Sequence, residues 1–204
     1  MQSILVNGEK QYPTKIVCVG RNYVAHIEEL GNEMPDQMVL FNKPNSAISD
    51  ILRSQVDGEN LHYEGELSFV IKDGALHAVG FGLDLTKREL QSRLKAKGLP
   101  WERAKAFDGA VVFSEFVTPT GNLNKLELEL HVDKSLRQSG GVELMIHKPQ
   151  AILEEVIAFT SLEDGDVIMT GTPAGVGAIH TGERFEATVR AGGRALVSAA
   201  WVAQ

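Results

Sequence analysis

Leu61-His62-Tyr63-Glu64-Gly65-Glu66-Leu67-Ser68-Phe69-Val70-Ile71 is the stretch around which the rest of this chain is organised. It reads as a β-strand. Side chains alternate between the two faces of a strand, so Glu64 and Glu66 share one face while Tyr63, Leu67, Phe69 and Ile71 share the other. Lys72-Asp73-Gly74 then makes a turn, and a second apolar run from Leu76 to Leu83 ends at Asp84. If the two runs pair, a third carboxylate arrives beside the first two. Three converging carboxylates repel one another, and a hard divalent cation with oxygen ligands, Mg²⁺ or Mn²⁺, is the natural occupant of such a point. The same Glu-x-Glu spacing also describes an ordinary half-exposed strand, as Glu127 and Glu129 do further along.

Composition narrows the field. The 204 residues, 43% hydrophobic and 23% charged, suit one soluble domain with a full core. A net charge of −7 without a basic cluster argues against nucleic acid as a partner. No apolar run reaches the length of a membrane span and the N-terminus lacks a signal-peptide pattern, so no membrane partner and a cytoplasmic location are expected. The lone Cys18, inside Ile16-Val17-Cys18-Val19, reads as an inert core thiol. Strand-like runs outnumber helical ones, and one β-rich domain over residues 1–204 follows.

Residues 1–14 form an N-terminal extension holding a hairpin turned at Asn7-Gly8. Lys15 to Val19 is a strand ending at Gly20-Arg21-Asn22, where Asn22 is placed to cap a short helix through Leu30. His26 and Glu29 stand three apart on that helix, the wiring of a general base and equally that of a polar surface helix. With the aperiodic segment that follows, residues 22–37 suit a mobile flap. Lys43 ends the strand Val39 to Pro44, either solvated or aimed at an anionic ligand.

Thr86 and Glu89 have capping-box spacing, which predicts a helix from there to about Lys97, with Arg88 and Gln91 on one face. Lys105, set among small and apolar residues, is a candidate for a partly dry cation that stabilises developing negative charge. Val111 to Val117 and Leu126 to Val132 read as strands. An amphipathic helix over Pro149 to Phe159 turns Ile152, Val156 and Ile157 inward. The glycine-rich Thr170 to Gly177 offers backbone N–H groups to a carboxylate or phosphate, and a hairpin turned at Gly192-Gly193 closes the chain.

In order and spacing these pieces resemble the fumarylacetoacetate hydrolase family, in its small, acylpyruvase-like branch. The resemblance runs from about Lys15 and rests on Val19-Gly20-Arg21-Asn22-Tyr23, Leu40-Phe41-Asn42-Lys43-Pro44, His62-Tyr63-Glu64-Gly65-Glu66-Leu67, Leu83-Asp84-Leu85-Thr86, Gly98-Leu99-Pro100-Trp101, Ala104-Lys105-Ala106-Phe107-Asp108 and Thr170-Gly171-Thr172-Pro173. It implies an α+β, β-rich fold of mixed sheets rolled around the active site with a few short helices, commonly as a homodimer. It further implies Mg²⁺ or Mn²⁺ on Glu64, Glu66 and Asp84, a catalytic dyad of His26 and Glu29 on a lid, a catalytic Lys105, and substrate contacts from Arg21, Lys43, Arg88, Gln91 and Thr172. Three positions depart from the usual pattern: Gly65 between the glutamates, which would loosen the strand, Glu115, and the turn Asp133-Lys134-Ser135.

The chemistry expected first is metal-dependent hydrolysis of a carbon–carbon bond in an acylpyruvate, a 2,4-dioxo acid, with the pyruvate enolate as leaving group. Oxaloacetate decarboxylation or tautomerisation, or isomerisation of a 2-hydroxy-diene-dioate, would use the same enolate-stabilising centre. A non-catalytic keto-acid binder is the reading from a different class.

Overall fold

In a computed structural model that describes all 204 residues, the run from Leu61 to Ile71 is not one strand but two. Glu59–Tyr63 and Gly65–Lys72 are separated by Glu64, which sits at the break. Gly65–Lys72 pairs antiparallel with Ala75–Asp84 through a tight turn in which Asp73 (φ 51°) and Gly74 (φ 70°) both adopt the left-handed region that a two-residue hairpin loop requires. These two strands lie inside a six-stranded mixed sheet. In sheet order it runs Val111–Phe113, Ala75–Asp84, Gly65–Lys72, Val167–Met169, Lys15–Gly20 and Val39–Pro44. Only Val167–Met169 and Lys15–Gly20 run parallel to each other.

Every residue from Gly65 to Ile71 is buried, because both faces of the sheet are covered. Leu67 and Phe69 pack against a four-stranded sheet, which supplies Leu128, Leu130, Phe185 and Val189. On the same side the helix Pro149–Phe159 packs Ile152, Leu153 and Val156 over Val17, Val19 and Ile168. Val70, Cys18 and Met169 face the other way, into a cluster closed by Ile4 and Val6 of the N-terminal hairpin. Counting back by twos from Val70 through Ser68 puts Glu66 on this second face. The site opens where that cluster ends.

Several local expectations give way to tertiary contacts. Asn22 is fully buried and caps nothing: its amide donates to the His147 and Thr170 carbonyls and accepts from the His147 N–H, while the helix Val24–Glu29 starts after Tyr23. The capping box at Thr86 does not form, since Thr86 pairs with His62 and the helix Arg88–Ala96 begins two residues later. Ile157 is 53% exposed, and Leu153 takes the inward position. Val111–Phe113 is shorter than expected, because Phe116 and Val117 make only isolated bridges.

Gly65 tightens the structure rather than loosening it. A Cβ there would lie 2.7 Å from Phe81 Cζ and 2.9 Å from Gln138 Oε1, inside contact distance of both. The Gly65 N–H donates to that same Gln138 oxygen at 2.8 Å. Glu115 accepts from the Gly8 N–H, and Asp133 and Lys134 close a two-residue hairpin, so both remaining departures are peripheral. Gly65→Ala should lower stability by about 1–3 kcal/mol through overpacking. Urea denaturation of the two proteins measures this; an unchanged midpoint would show that Phe81 and Gln138 have room to move.

Candidate active site

Glu64 and Asp84 are brought together by the backbone, with the Asp84 N–H donating to the Glu64 carbonyl at 2.9 Å. Glu66 pairs across the hairpin with Gly82, where any side chain would collide with Ser68, Met169 and Phe113. The glycine lets those three side chains close against the strand behind the carboxylates. Ligand oxygens of Glu64, Glu66 and Asp84 lie within 4.8 Å of one another, and all three residues are buried.

Three basic side chains already approach this cluster, which revises the expectation that a divalent ion alone reconciles the carboxylates. Lys105 Nζ donates to Glu64 Oε2 at 2.8 Å, Asp84 Oδ2 at 2.7 Å and Thr86 Oγ1 at 2.6 Å. Arg88 donates to Glu64 Oε1. Lys43 Nζ stands 2.8 Å from Asp84 Oδ1 in an ion pair without the alignment of a hydrogen bond. Glu64 and Asp84 therefore have two cations each. Glu66 has none: its sole donor is the Gly171 N–H, at 2.7 Å on Oε2.

The acidities follow this division. Burial works to raise the Glu64 carboxyl, but Lys105 and Arg88 outweigh it and hold the group well below the usual carboxylate range. Burial, then Asp84 and Glu64, push Glu66 well above its ordinary value. Lys105 is raised: burial opposes its charge, and Asp84 and Glu64 more than compensate.

His26 lies over the pocket on the helix Val24–Glu29, 6% exposed, with Nδ1 3.4 Å from Glu29 Oε2. An ionised carboxylate only accepts, so Nδ1 carries the proton and Nε2 keeps its lone pair. Burial lowers the imidazole below its ordinary value against the opposing pull of Glu64 and Glu29. Glu29 is itself fixed by the Gly175 N–H at 2.9 Å. The glycine-rich loop thus does hold carboxylates, but they are the protein's own Glu66 and Glu29.

The pocket holds a cavity of about 40 Å³, so a ligand larger than water needs its walls to part. Arg21, Arg88, Gln91 and Thr172 line it. Lys43 does not. It is fully buried beneath Asp84, its ammonium donating to the Lys105 and Ala110 carbonyls, which corrects its expected place as a substrate contact. Thr172 presents a spent hydroxyl that donates to the Gly65 carbonyl and accepts from Gln138. Lys105 is likewise spent, with all three N–H bonds directed at protein oxygens rather than at the pocket.

Two residues at the site escape a reading of the sequence. Gln138 braces Gly65, Thr172 and Pro173 from a strand of the second sheet, and no local pattern marks it. Lys95 lines the pocket too. It continues the helical stripe of Arg88 and Gln91 at i, i+3, i+7, the signal that could have found it.

The donor set suits a hard divalent cation: three carboxylates, one lacking any cationic partner, and an Asp84 Oδ1 without an aligned donor. With its carboxyl raised by burial and by Asp84 and Glu64, Glu66 keeps its proton above pH 4.5, where an unfolded glutamate gives it up, so its contribution to stability falls as pH rises out of that range. A cation needs the ionised form. The gain in melting temperature from Mg²⁺ or Mn²⁺ should therefore grow as pH rises above the ordinary glutamate range, and Glu66→Gln should remove that growth. Calorimetric melts with and without metal decide it; a gain independent of pH in the parent protein would contradict it.

Comparison with known proteins agrees with this architecture. Residues 15–199 match the family described as fumarylacetoacetate (FAA) hydrolase C-terminal. The chain is 38% identical over 195 residues to oxaloacetate tautomerase YcgM of Escherichia coli, covering 87% of this chain and 89% of that protein. It is 41% identical over 198 residues to the mitochondrial oxaloacetate tautomerase FAHD2 of rice, Oryza sativa subsp. japonica, covering 86% of each. A crystal structure of fumarylpyruvate hydrolase from Pseudomonas aeruginosa, in complex with Mn²⁺ and pyruvate, superposes with a TM-score of 0.86 at 30% identity, over 100% of this chain and 96% of that one. The β-rich mixed-sheet fold and the sequence match together establish that this chain belongs to the fumarylacetoacetate hydrolase family of enzymes.

Proposed function

We propose that this enzyme holds Mg²⁺ or Mn²⁺ on Glu64, Glu66 and Asp84 and acts on oxaloacetate, interconverting its keto and enol forms, with decarboxylation of the same substrate as a companion reaction. The observation that carries the reading is the neutral His26 imidazole facing the carboxylate triad, its far nitrogen tied to a fixed Glu29. Proton transfer between carbon and oxygen needs one such base and no attacking water. The names of the Escherichia coli and rice relatives support it, and they reverse the order expected from the sequence, where acylpyruvate hydrolysis stood first.

When bound, the cation supplies a chelating point for the α-keto carboxylate and draws negative charge toward the 2-oxo oxygen. His26 Nε2 takes the proton from C3, and Glu29 stabilises the imidazolium that results. The imidazolium then returns that proton to the 2-oxo oxygen: a C–H bond breaks, an O–H bond forms, and nothing else is consumed. Lys105 contributes its charge through the carboxylates it holds rather than by donating a proton. Gln91, whose oxygen accepts from Arg88, lines the pocket and has amide N–H groups to offer the substrate. Residues 22–37, which carry both members of the dyad, act as the lid, and a homodimer is the proposed assembly.

Acylpyruvate hydrolysis is the second reading, favoured by the fumarylpyruvate hydrolase neighbour. It would set the same His26 to work on water.

Enol absorbance and pyruvate release, followed with oxaloacetate and Mg²⁺, separate these reactions. His26→Gln should slow tautomerisation about 10²–10⁴-fold while sparing metal-dependent decarboxylation. Because the base works deprotonated and burial lowers it, activity should fall with acid through a midpoint below 6.5, a limb absent in the variant. Efficient acylpyruvate cleavage without oxaloacetate turnover would contradict the proposal.

A further inference from the structure

Away from the carboxylates, the pocket wall carries two cations that no acidic group answers. Arg21 and Lys95 both line the pocket, and neither forms an ion pair. Both instead reach neutral oxygens of the segment 22–37: Asn32 Oδ1 takes a hydrogen bond from Lys95 Nζ at 2.9 Å and a longer one from Arg21 at 3.4 Å, and the Glu33 carbonyl takes a second from Arg21 at 3.3 Å. Two cations sharing one amide oxygen make a place where a carboxylate would be the better acceptor.

The protein holds both groups in position at some cost. Arg21 sits at φ 56°, in the left-handed region that a non-glycine residue adopts only where its surroundings impose it. Lys95 is half-buried, and its ammonium lies 5.9 Å from the Trp101 ring centre. Trp101 packs on Phe41 at 5.9 Å, and the Phe41 ring centre is 5.2 Å from Lys105 Nζ. One continuous aromatic wall therefore joins the carboxylate floor of the pocket to its cationic rim.

We infer that Arg21 and Lys95 form the subsite for the distal carboxylate of a 2-oxo diacid, displacing Asn32 as their acceptor, and so set the pocket's preference for dicarboxylates. The inference rests on the proposed reading that the keto-acid end of the substrate lies at Glu64, Glu66 and Asp84. It adds Lys95 as a specificity determinant and gives Asn32, on the segment 22–37, a direct link to occupancy of the rim.

Malate and lactate test it, since both are 2-hydroxy acids and differ only in the distal carboxylate. Calorimetric titration of the Mg²⁺-loaded protein should show malate binding at least about tenfold tighter than lactate. Lys95→Met should bring the two within about twofold by weakening malate alone, and Lys95→Arg should retain the preference. Asn32→Asp, which places a carboxylate between the cations, should abolish the preference while leaving lactate unchanged. Equal weakening of both ligands by Lys95→Met, a preference that survives it, or a parent protein that does not favour malate would each overturn the subsite. Oxaloacetate turnover measured on the same samples judges the proposed reaction separately, because a parent enzyme that turns over oxaloacetate can still fail the malate–lactate comparison.

Discussion

The structure depends on how unequally positive charge is shared among three buried carboxylates. Glu64 and Asp84 each receive two cations, from Lys43, Arg88 and a shared Lys105, whereas Glu66 receives one backbone N–H. The cluster is thus neutralised on one side and left electron-rich on the other. An arrangement of that kind presents one oxygen-rich face suited to a hard cation.

Rigidity comes from the elements that carry these groups. Glu66 and Asp84 project from paired central strands, Lys43 is locked under Asp84 by two carbonyls, and the Gly171 N–H is set by a loop anchored on Asn22 and Thr170. His26 and Glu29, the proposed proton-transfer pair, sit differently, on a short helix with an exposed Glu29 and no side-chain cap. Rigid charges on strands and a lightly held histidine on a short helix form the division that the proposed lid and base require.

Much of this was legible in the chain. Alternation and one tight hairpin suffice to bring Glu64, Glu66 and Asp84 together, because strand periodicity and turn geometry are local properties. The same local logic misplaced Thr86: its spacing to Glu89 satisfies a capping box, but pairing with His62 and the Lys105 ammonium claim the residue first. Asn22 failed likewise, drawn away by carbonyls more than a hundred residues distant. Lys43 could not be placed, since a strand-end lysine looks the same whether solvated or buried under an aspartate. Gln138 lay beyond reach because its partners come from two other segments. Lys95 was within reach, on a stripe begun by Arg88 and Gln91.

Anomalous diffraction from crystals soaked in Mn²⁺ tests the central claim most directly. The account predicts one strong anomalous peak per chain, bonded to an oxygen of Glu66 as well as to Glu64 and Asp84, with the Lys105 ammonium still beside it. A peak that avoids Glu66, or no peak in a cluster filled by Lys105 alone, would contradict it.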